Sequence, residues 1–387
     1  MADDARTGTG APQKTTPPGR GTGRLHREEM PRVVFTRRRL LASTIFIVSI
    51  VAFMYFVLPK LVGLQSTWNR IEHGNAWWFA LAALLEVLSF GGYIVLFRAV
   101  FIRGESRIDW RESYQITMAG LAATRLFASA GAGGIALTAW ALRRSGLDAR
   151  VAACRLIAFM ALLYAVYMLT LVIDGLGLYS GVIPNYGAPF AITVIPAIFG
   201  ATVIVLFLGV SLLPGDFERL VARWTGGGGR LSRLARRLAA LPATAGTGIR
   251  TAIDLLRTRN PFLLGAVAWW GFDIAVLWAC FHAFGASPPK GVIVMSYFVG
   301  MFGNALPLPG GIGGVDGGMI GAFAAFGVNA QVAIVAVLAY RAFAFWLPTV
   351  PGAVAYLQLR RTVHRWEEAK HASPESPAAG AKAASYT

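Results

Sequence analysis

The sequence predicts an all-α polytopic membrane protein. Of its 387 residues, 56% are hydrophobic and only 14% are charged, whereas a soluble domain carries about a quarter charged residues. Several apolar runs are long enough to cross a hydrocarbon core about 30 Å thick. These runs are continuous and do not alternate with a period of two, which argues against a transmembrane β-barrel.

The net charge of +17 is distributed as in a membrane protein. Basic residues lie in short segments beside the apolar runs, as expected of cytoplasmic loops. We therefore predict the inner (plasma) membrane, with both termini cytoplasmic and no nucleic-acid partner. Cys154 and Cys280 each lie beside or inside an apolar run, which argues against a disulfide, a zinc site or a redox pair. We expect no cofactor and no metal.

The chain divides into a membrane domain and two tails. Residues 1–36 lack an apolar face and predict a disordered cytoplasmic tail. The membrane domain covers residues 37–360, and residues 361–387 predict a second disordered cytoplasmic tail. The arginine-rich segment 214–260 predicts a cytoplasmic loop, and the uncharged segment 179–189 an external one. Six crossings are predicted, at 40–58, 76–97, 156–178, 190–213, 261–284 and 331–358.

Two further apolar segments, 114–142 and 291–327, are interrupted by glycine clusters. Basic residues flank the first at both ends, and a segment that crosses once cannot have cytoplasmic loops at both ends. A re-entrant hairpin that enters and leaves on the cytoplasmic side satisfies the positive-inside rule. The second segment must then be a hairpin that enters from outside. All but five of the 36 Lys and Arg residues become cytoplasmic; the exceptions are Lys60, Arg70 and Lys290 outside and Arg125 and Arg341 within the membrane.

This topology predicts an inverted repeat. Each half, about 40–178 and about 190–358, has three crossings and one re-entrant broken hairpin. Because three is odd, the second half is inverted relative to the first. At offsets of about 180 residues, the cluster at 131–134 (GAGG) matches 311–314 (GIGG), and 146–152 (GLDARVA) resembles 327–333 (GVNAQVA). Glycine-broken segments at corresponding places in two halves are typical of secondary transporters with a site at the membrane midplane.

Charged residues at bilayer depth are costly, so a functional role is the first hypothesis for each. Arg125 and Arg341 predict a phosphate-binding cavity, because a guanidinium donates two parallel hydrogen bonds to phosphate. Asp316 is a candidate to pair with either arginine, to bind a cationic headgroup or to take a proton. Glu86 and Asp273 are candidates for proton or ion coupling. The structural alternative is that ion pairs, such as Arg341 with Asp273, neutralise charge between helices.

The glycine clusters complete the predicted substrate site. Half-helix ends there would offer unpaired N–H groups to an anionic ligand. The alternative is that the glycines only allow close helix packing. The predicted site residues are Gly131, Gly133, Gly134, Pro309, Gly310, Gly311, Gly313 and Gly314.

Three other features are given structural roles. Asp174, near the external end of its crossing, is expected to be solvated. The pairs Trp77-Trp78 and Trp269-Trp270 are expected to anchor or pack helices.

The second hairpin carries a resemblance to a known family. The segment 306–317 (LPLPGGIGGVDG), followed by Arg341, Pro348 and Gly352, resembles the lysylphosphatidylglycerol synthase transmembrane (flippase-like) family. The resemblance covers about residues 40–360. Asp316 stands where a glutamate is common, and the first hairpin lacks the proline often found before its glycines. The resemblance implies an inverted-repeat fold and movement of lipids between leaflets, in a stand-alone member without the soluble synthase domain.

Three functions stay open. The first is a lipid flippase or transporter, not an enzyme, that moves an anionic or modified lipid; the sequence has no Walker-type nucleotide loop. Its partners are membrane lipids, with a phospholipid or a polyprenyl-phosphate-linked sugar as cargo. The second is an intramembrane transferase acting on a polyprenyl-phosphate carrier, for which the external loops offer only Glu72. The third is a non-catalytic partner of a cell-envelope biosynthetic enzyme, docked through the basic loop.

Overall fold

The computed structural model describes residues 74–102, 108–126, 132–212, 230–306 and 311–372. Throughout these ranges the chain is helical and contains no strand, which confirms the all-α prediction. The helices are α1 Ala76–Phe101, α2 Trp110–Leu126, α3 Ala132–Arg144, α4 Ala149–Tyr179, α5 Phe190–Ser211, α6 Arg230–Arg257, α7 Gly265–Ala283, α8 Lys290–Met301, α9 Gly314–Ala325, α10 Ala330–Arg341 and α11 Leu347–Ala372. Single 3₁₀ turns precede α7 and follow α8. The first predicted crossing, at 40–58, and the tail at 1–36 lie outside the described residues.

Five segments of the described chain are long and apolar enough to cross a membrane. They are Ala76–Phe101, Ala149–Tyr179, Phe190–Ser211, Pro261–Ala283 and Ala330–Glu368, and each coincides with a predicted crossing. Their outward faces are apolar; Val205 and Leu206 on α5, for example, are 66% and 62% exposed. A continuous apolar surface of this kind is favourable in hydrocarbon and not in water. The chain is therefore a multi-pass membrane protein.

Helices α1 and α7 pack antiparallel along their whole length. At one end the Asn75 N–H donates to the Ala283 carbonyl at 3.1 Å. Further along, the Ser89 hydroxyl donates to the Trp269 carbonyl at 2.8 Å. Near the other end, a Cβ on Gly92 would lie 2.8 Å from both the Ala268 Cβ and the Trp269 nitrogen. The two backbones are in contact there, and only glycine fits.

We expect Gly92→Ala to destabilise the protein and Gly91→Ala to leave it unchanged. The neighbouring Gly91 has nothing within 4 Å of the Cβ position, so it is a matched control on the same helix. Overpacking of this kind costs about 1–3 kcal/mol. The measurement is the apparent Tm of the detergent-solubilised variants. Equal Tm values for the two variants would show that α1 and α7 are not in close contact.

The first glycine-broken segment forms two antiparallel helices, α2 and α3. A Cβ on Gly120 would lie 3.0 Å from the Thr138 Oγ1. Both outer ends of this pair contact the end of α11. At the start of α2, the Trp366 Nε1 donates to the Glu112 Oε1 at 3.1 Å. At the end of α3, Arg144 forms an ion pair with Glu367.

The second glycine-broken segment forms the antiparallel helices α8 and α9. A Cβ on Gly318 would lie 3.0 Å from the Gly300 Cα. Both outer ends of this pair approach the connection between α4 and α5. A Cβ on Gly291, at the start of α8, would contact Ile183, and one on Gly327, after α9, would lie 4.0 Å from the Tyr186 Cβ.

The matched segments 146–152 and 327–333 have the same local structure. Gly146 and Gly327 both have positive φ, 99° and 81°, a region that favours glycine. The next polar residue then caps the following helix. Asp148 Oδ1 accepts from two backbone N–H groups at the start of α4, at 2.8 and 3.3 Å. Asn329 Oδ1 accepts from the corresponding two in α10, at 3.0 and 3.3 Å.

Helices α10 and α11 are joined by the π-helical turn Ala342–Trp346. Pro348 follows this turn, and Pro351 lies inside α11. A proline lacks the backbone N–H and clashes with the carbonyl four residues earlier. In this turn the backbone hydrogen bonds join residues five apart and not four apart. Such π-helical turns are frequent at functional sites.

The last helix extends to Ala372, beyond the predicted end of the membrane domain at 360. Its additional turns are held by polar contacts with α2, such as the Thr362 hydroxyl donating to Gln115 Oε1 at 2.8 Å. The predicted basic loop 214–260 likewise contains a helix, α6. Ile249 and Leu255 of α6 are buried, and Arg250 donates to the Ser211 carbonyl at 3.0 Å.

Candidate functional site

A cavity of about 630 Å³ lies between the two broken helix pairs and helices α1, α4, α7 and α10. Its volume is within the range of about 300–1,000 Å³ that is usual for ligand sites. Arg125, Arg341 and Asp273 line it. The structure therefore brings both predicted phosphate-binding arginines into the wall of one cavity.

Arg125 is the penultimate residue of α2. Its Nη1 atom is buried and has no hydrogen-bond acceptor among the described residues. The guanidinium carbon lies 5.4 Å from the centroid of the Phe90 ring. Among the described carboxyl groups, Glu86 and Asp273 interact with it electrostatically. A buried N–H donor without an acceptor is costly, and an anionic oxygen in the cavity would satisfy it.

Arg341 is held by Asp316. The Arg341 Nε lies 2.7 Å from Asp316 Oδ1, and their side chains are only 12% and 2% exposed. The other Asp316 oxygen accepts from the Gly313 N–H at 2.8 Å. Asp316 therefore has two roles: it caps α9, and it holds the Arg341 side chain in position. The glycine cluster had suggested that its N–H groups are offered to a ligand. The Gly313 N–H is instead hydrogen-bonded within the protein.

Glu86 and Asp273 meet at the centre of the α1–α7 pair. They are 1% and 7% exposed, and the antiparallel register fixed by the Asn75–Ala283 and Ser89–Trp269 hydrogen bonds places them opposite each other. Asp273 Oδ2 accepts from the Tyr297 hydroxyl and, at 3.1 Å, from the Tyr340 hydroxyl. Glu86 Oε2 and Asp273 Oδ1 are buried and accept no hydrogen bond from any donor in the described ranges.

The predicted glycines divide into two groups. Gly134 and Gly311 line the cavity. Gly133, Gly313 and Gly314 are not among its lining residues, and a Cβ on Gly314 would lie 2.9 Å from the Gly303 carbonyl oxygen. For Gly314, close helix packing is thus the role that the structure supports. Gly131, Pro309 and Gly310 lie outside the described residues.

The sequence reasoning missed the aromatic wall of the cavity. Twelve tyrosine, tryptophan and phenylalanine side chains of the described residues contribute to it, among them Tyr93, Tyr164, Tyr167, Trp269, Trp270 and Phe302. Trp270 is fixed by its Nε1 hydrogen bond to the Leu163 carbonyl at 2.8 Å. The paired tryptophans were a usable signal, because a polar N–H at bilayer depth needs a partner.

The expectation for Asp174 was wrong. Its side chain is buried, and Oδ2 accepts no hydrogen bond from the part of the chain that the structure describes. A Cβ on Gly291 would lie 3.1 Å from Asp174 Oδ1, and the neighbouring Gly175 is in contact with α5. The C-terminal end of α4 is therefore covered by α5 and by the start of α8, which hydropathy alone does not reveal.

Three of the cavity-lining residues are substantially exposed. Ile135 on α3, Tyr164 on α4 and Phe199 on α5 are 40%, 44% and 45% exposed. Among the described residues, the cavity wall is therefore least covered between α3, α4 and α5.

The fold and this cavity define a class, that of multi-pass helical membrane proteins with an arginine-lined cavity between two glycine-broken helix pairs. Within that class, the chain belongs to the lysylphosphatidylglycerol synthase transmembrane-region family, whose sequence profile matches residues 40–352. It is similar to a UPF0104 membrane protein of Methanothermobacter thermautotrophicus, with 34% identity over 112 residues. That stretch is 28% of this chain and 31% of the relative, so the match spans about a third of that protein. No solved structure matches the chain.

Proposed function

We propose that the protein is a lipid flippase, which moves an anionic or modified lipid between the two leaflets. The observation that carries the proposal is the position of Arg125 and Arg341 in the wall of one cavity. The lipid phosphate would bind between the arginines. The acyl or prenyl chains would remain in the bilayer and pass through the least covered part of the wall, at Ile135 and Phe199.

The contacts at the hairpin ends support a re-entrant topology. Both ends of the α2–α3 pair contact α11 near Trp366 and Glu367, a segment that the charge pattern places in the cytoplasm. Both ends of the α8–α9 pair approach the uncharged connection at 180–189, which the same pattern places outside. Two hairpins that enter from opposite sides are what an inverted repeat requires.

The centre of the molecule supports the same symmetry. Glu86 and Asp273 hold corresponding positions in the two halves and meet each other across the α1–α7 pair. Residues related by a two-fold axis can touch only where that axis passes between them. We infer an axis in the membrane plane at this point. Rocking of one half against the other about this axis would expose the cavity to each leaflet in turn.

The proposal is tested by lipid binding to an Arg125→Ala variant. Removing one partner of a buried charged interaction costs at least about 2 kcal/mol, which is about a 30-fold loss of affinity. Native mass spectra of the protein in mild detergent are expected to show an anionic lipid retained by the wild type and lost from the variant. Arg257→Ala is the matched control, because Arg257 is 77% exposed on α6.

The same spectra separate a transporter from a scaffold. If wild type, Arg125→Ala and Arg257→Ala retain the same lipids equally, the cavity does not bind a phosphate and the flippase proposal fails. If only Arg125→Ala loses the lipid, the mass of that lipid identifies its headgroup. Proteoliposomes containing it then measure transfer between leaflets directly.

A further inference from the structure

The buried carboxyl groups of Glu86 and Asp273 are not part of the proposed phosphate site, and their arrangement requires an explanation of its own. The antiparallel register of α1 and α7, fixed by the Asn75–Ala283 and Ser89–Trp269 hydrogen bonds, places these two buried carboxyl groups opposite each other. Glu86 Oε2 and Asp273 Oδ1 both lack a donor among the described residues. Two ionised carboxylates in this arrangement repel, and in other proteins such pairs share one proton. A proton between the two carboxyl groups would supply the missing donor.

The charges around the cavity add a second constraint. Arg341 and Asp316 form an ion pair, so their charges cancel. Arg125 contributes one positive charge close to the carboxyl pair. With one shared proton the pair carries a single negative charge and balances Arg125. Counted over the described residues, the charges around the cavity then balance, whereas an added anion would leave one uncompensated charge, which costs several kcal/mol in a low-dielectric interior.

We propose that Glu86 and Asp273 share one proton in the empty protein and take up a second when an anionic lipid binds at Arg125. The second half of this proposal rests on the proposed function, whereas the first half does not. The proton adds to the carboxyl pair, which becomes neutral, and it is released to water when the lipid leaves. Lipid anion and proton therefore move together.

The structure provides a route for the proton. Asp273 and Tyr340 line the cavity, and the Tyr340 hydroxyl donates to Asp273. Glu86 is not among the lining residues, so a proton from the cavity would meet the pair at Asp273. The other titratable or charged groups that the described elements present around the pair are Arg125, Cys280, Tyr297, Asp316 and Arg341.

The first experiment needs no lipid. Infrared spectra of the wild type at neutral pH are expected to contain a protonated-carboxyl C=O band that disappears in Glu86→Gln/Asp273→Asn. Asp254→Asn is the control, because Asp254 is a carboxylate 67% exposed on α6. All proteins compared also carry Cys280→Ala, which removes the thiol near the carboxyl pair. No difference in this band between the wild type and the double variant would overturn the shared proton, whatever the lipid result.

The second experiment measures the linkage between lipid and proton. The probe is short-chain phosphatidylglycerol, whose phosphodiester keeps one negative charge between pH 5.5 and 8.5. Uptake of one proton per lipid predicts that its Kd for the wild type rises up to about tenfold per pH unit. Glu86→Gln/Asp273→Asn leaves Arg125 uncompensated, so it is expected to bind the probe with a Kd that is independent of pH. A flat profile in the wild type, or the same slope in the variant, overturns the coupling.

The two proposals fail in different ways. If the wild type does not bind the probe or any other anionic lipid at any pH, the flippase proposal and the coupling both fall, while the infrared band still decides the shared proton. If the probe binds in an Arg125-dependent manner without proton uptake, measured by calorimetry in two buffers of different ionisation enthalpy, the flippase proposal stands and the coupling falls.

Discussion

Asp316→Ala is expected to destabilise the protein by about 3–5 kcal/mol, since it removes the carboxylate from a guanidinium that is only 12% exposed. The same change also removes the cap of α9, because Asp316 accepts from the Gly313 N–H. Asp316→Asn separates the two effects. Its side-chain oxygen can still accept from Gly313, so any loss of stability that it shares with alanine comes from the ion pair.

The double variant Asp316→Ala/Arg341→Met provides the stringent control. Replacing both partners of a buried ion pair by apolar groups is often neutral, whereas removing one is not. We therefore expect the apparent Tm of the double variant to lie above that of Asp316→Ala, although its cavity has lost one phosphate ligand. The contradicting result is additivity of the two single changes, which would mean that Arg341 is held in place by other contacts.

The membrane spans were predictable because they depend on features that are written along the chain. Lengths of apolar runs and the positions of arginines set the crossings, and the five described spans coincide with their predictions. The likeness of segments 146–152 and 327–333 was visible in the sequence because a left-handed glycine followed by a capping Asp or Asn has few substitutes. Both segments adopt the same turn.

The site was predictable only in part, because contacts between distant segments leave no local pattern. Sequence reasoning selected Arg125 and Arg341 by their charge, and the structure places both in one cavity. It left three options for Asp316, and only the geometry shows the pair with Arg341. The hydroxyl groups of Tyr297 and Tyr340 that converge on Asp273 come from two different helices, so neither position alone indicated the role.

Gly303 shows most clearly what the sequence did not indicate. It belongs to no cluster, yet a Cβ there would overlap the backbone of Gly314 across the second hairpin. Neither backbone can yield without separating α8 from α9. Gly303→Ala is therefore expected to cost about 3 kcal/mol or more, the upper end of overpacking effects.

Gly317→Ala on α9 is the matched control for this change, because nothing lies within 4 Å of its Cβ position. We expect the apparent Tm of Gly303→Ala to fall by about 5 °C or more, and that of Gly317→Ala to stay within about 1 °C of the wild type. A helix pair that tolerated both changes equally would not be closed at its tip. Asp316 contacts Arg341 from the first turn of α9, so its position depends on the packing of α9 against α8. Gly303 allows that packing although it does not line the cavity itself.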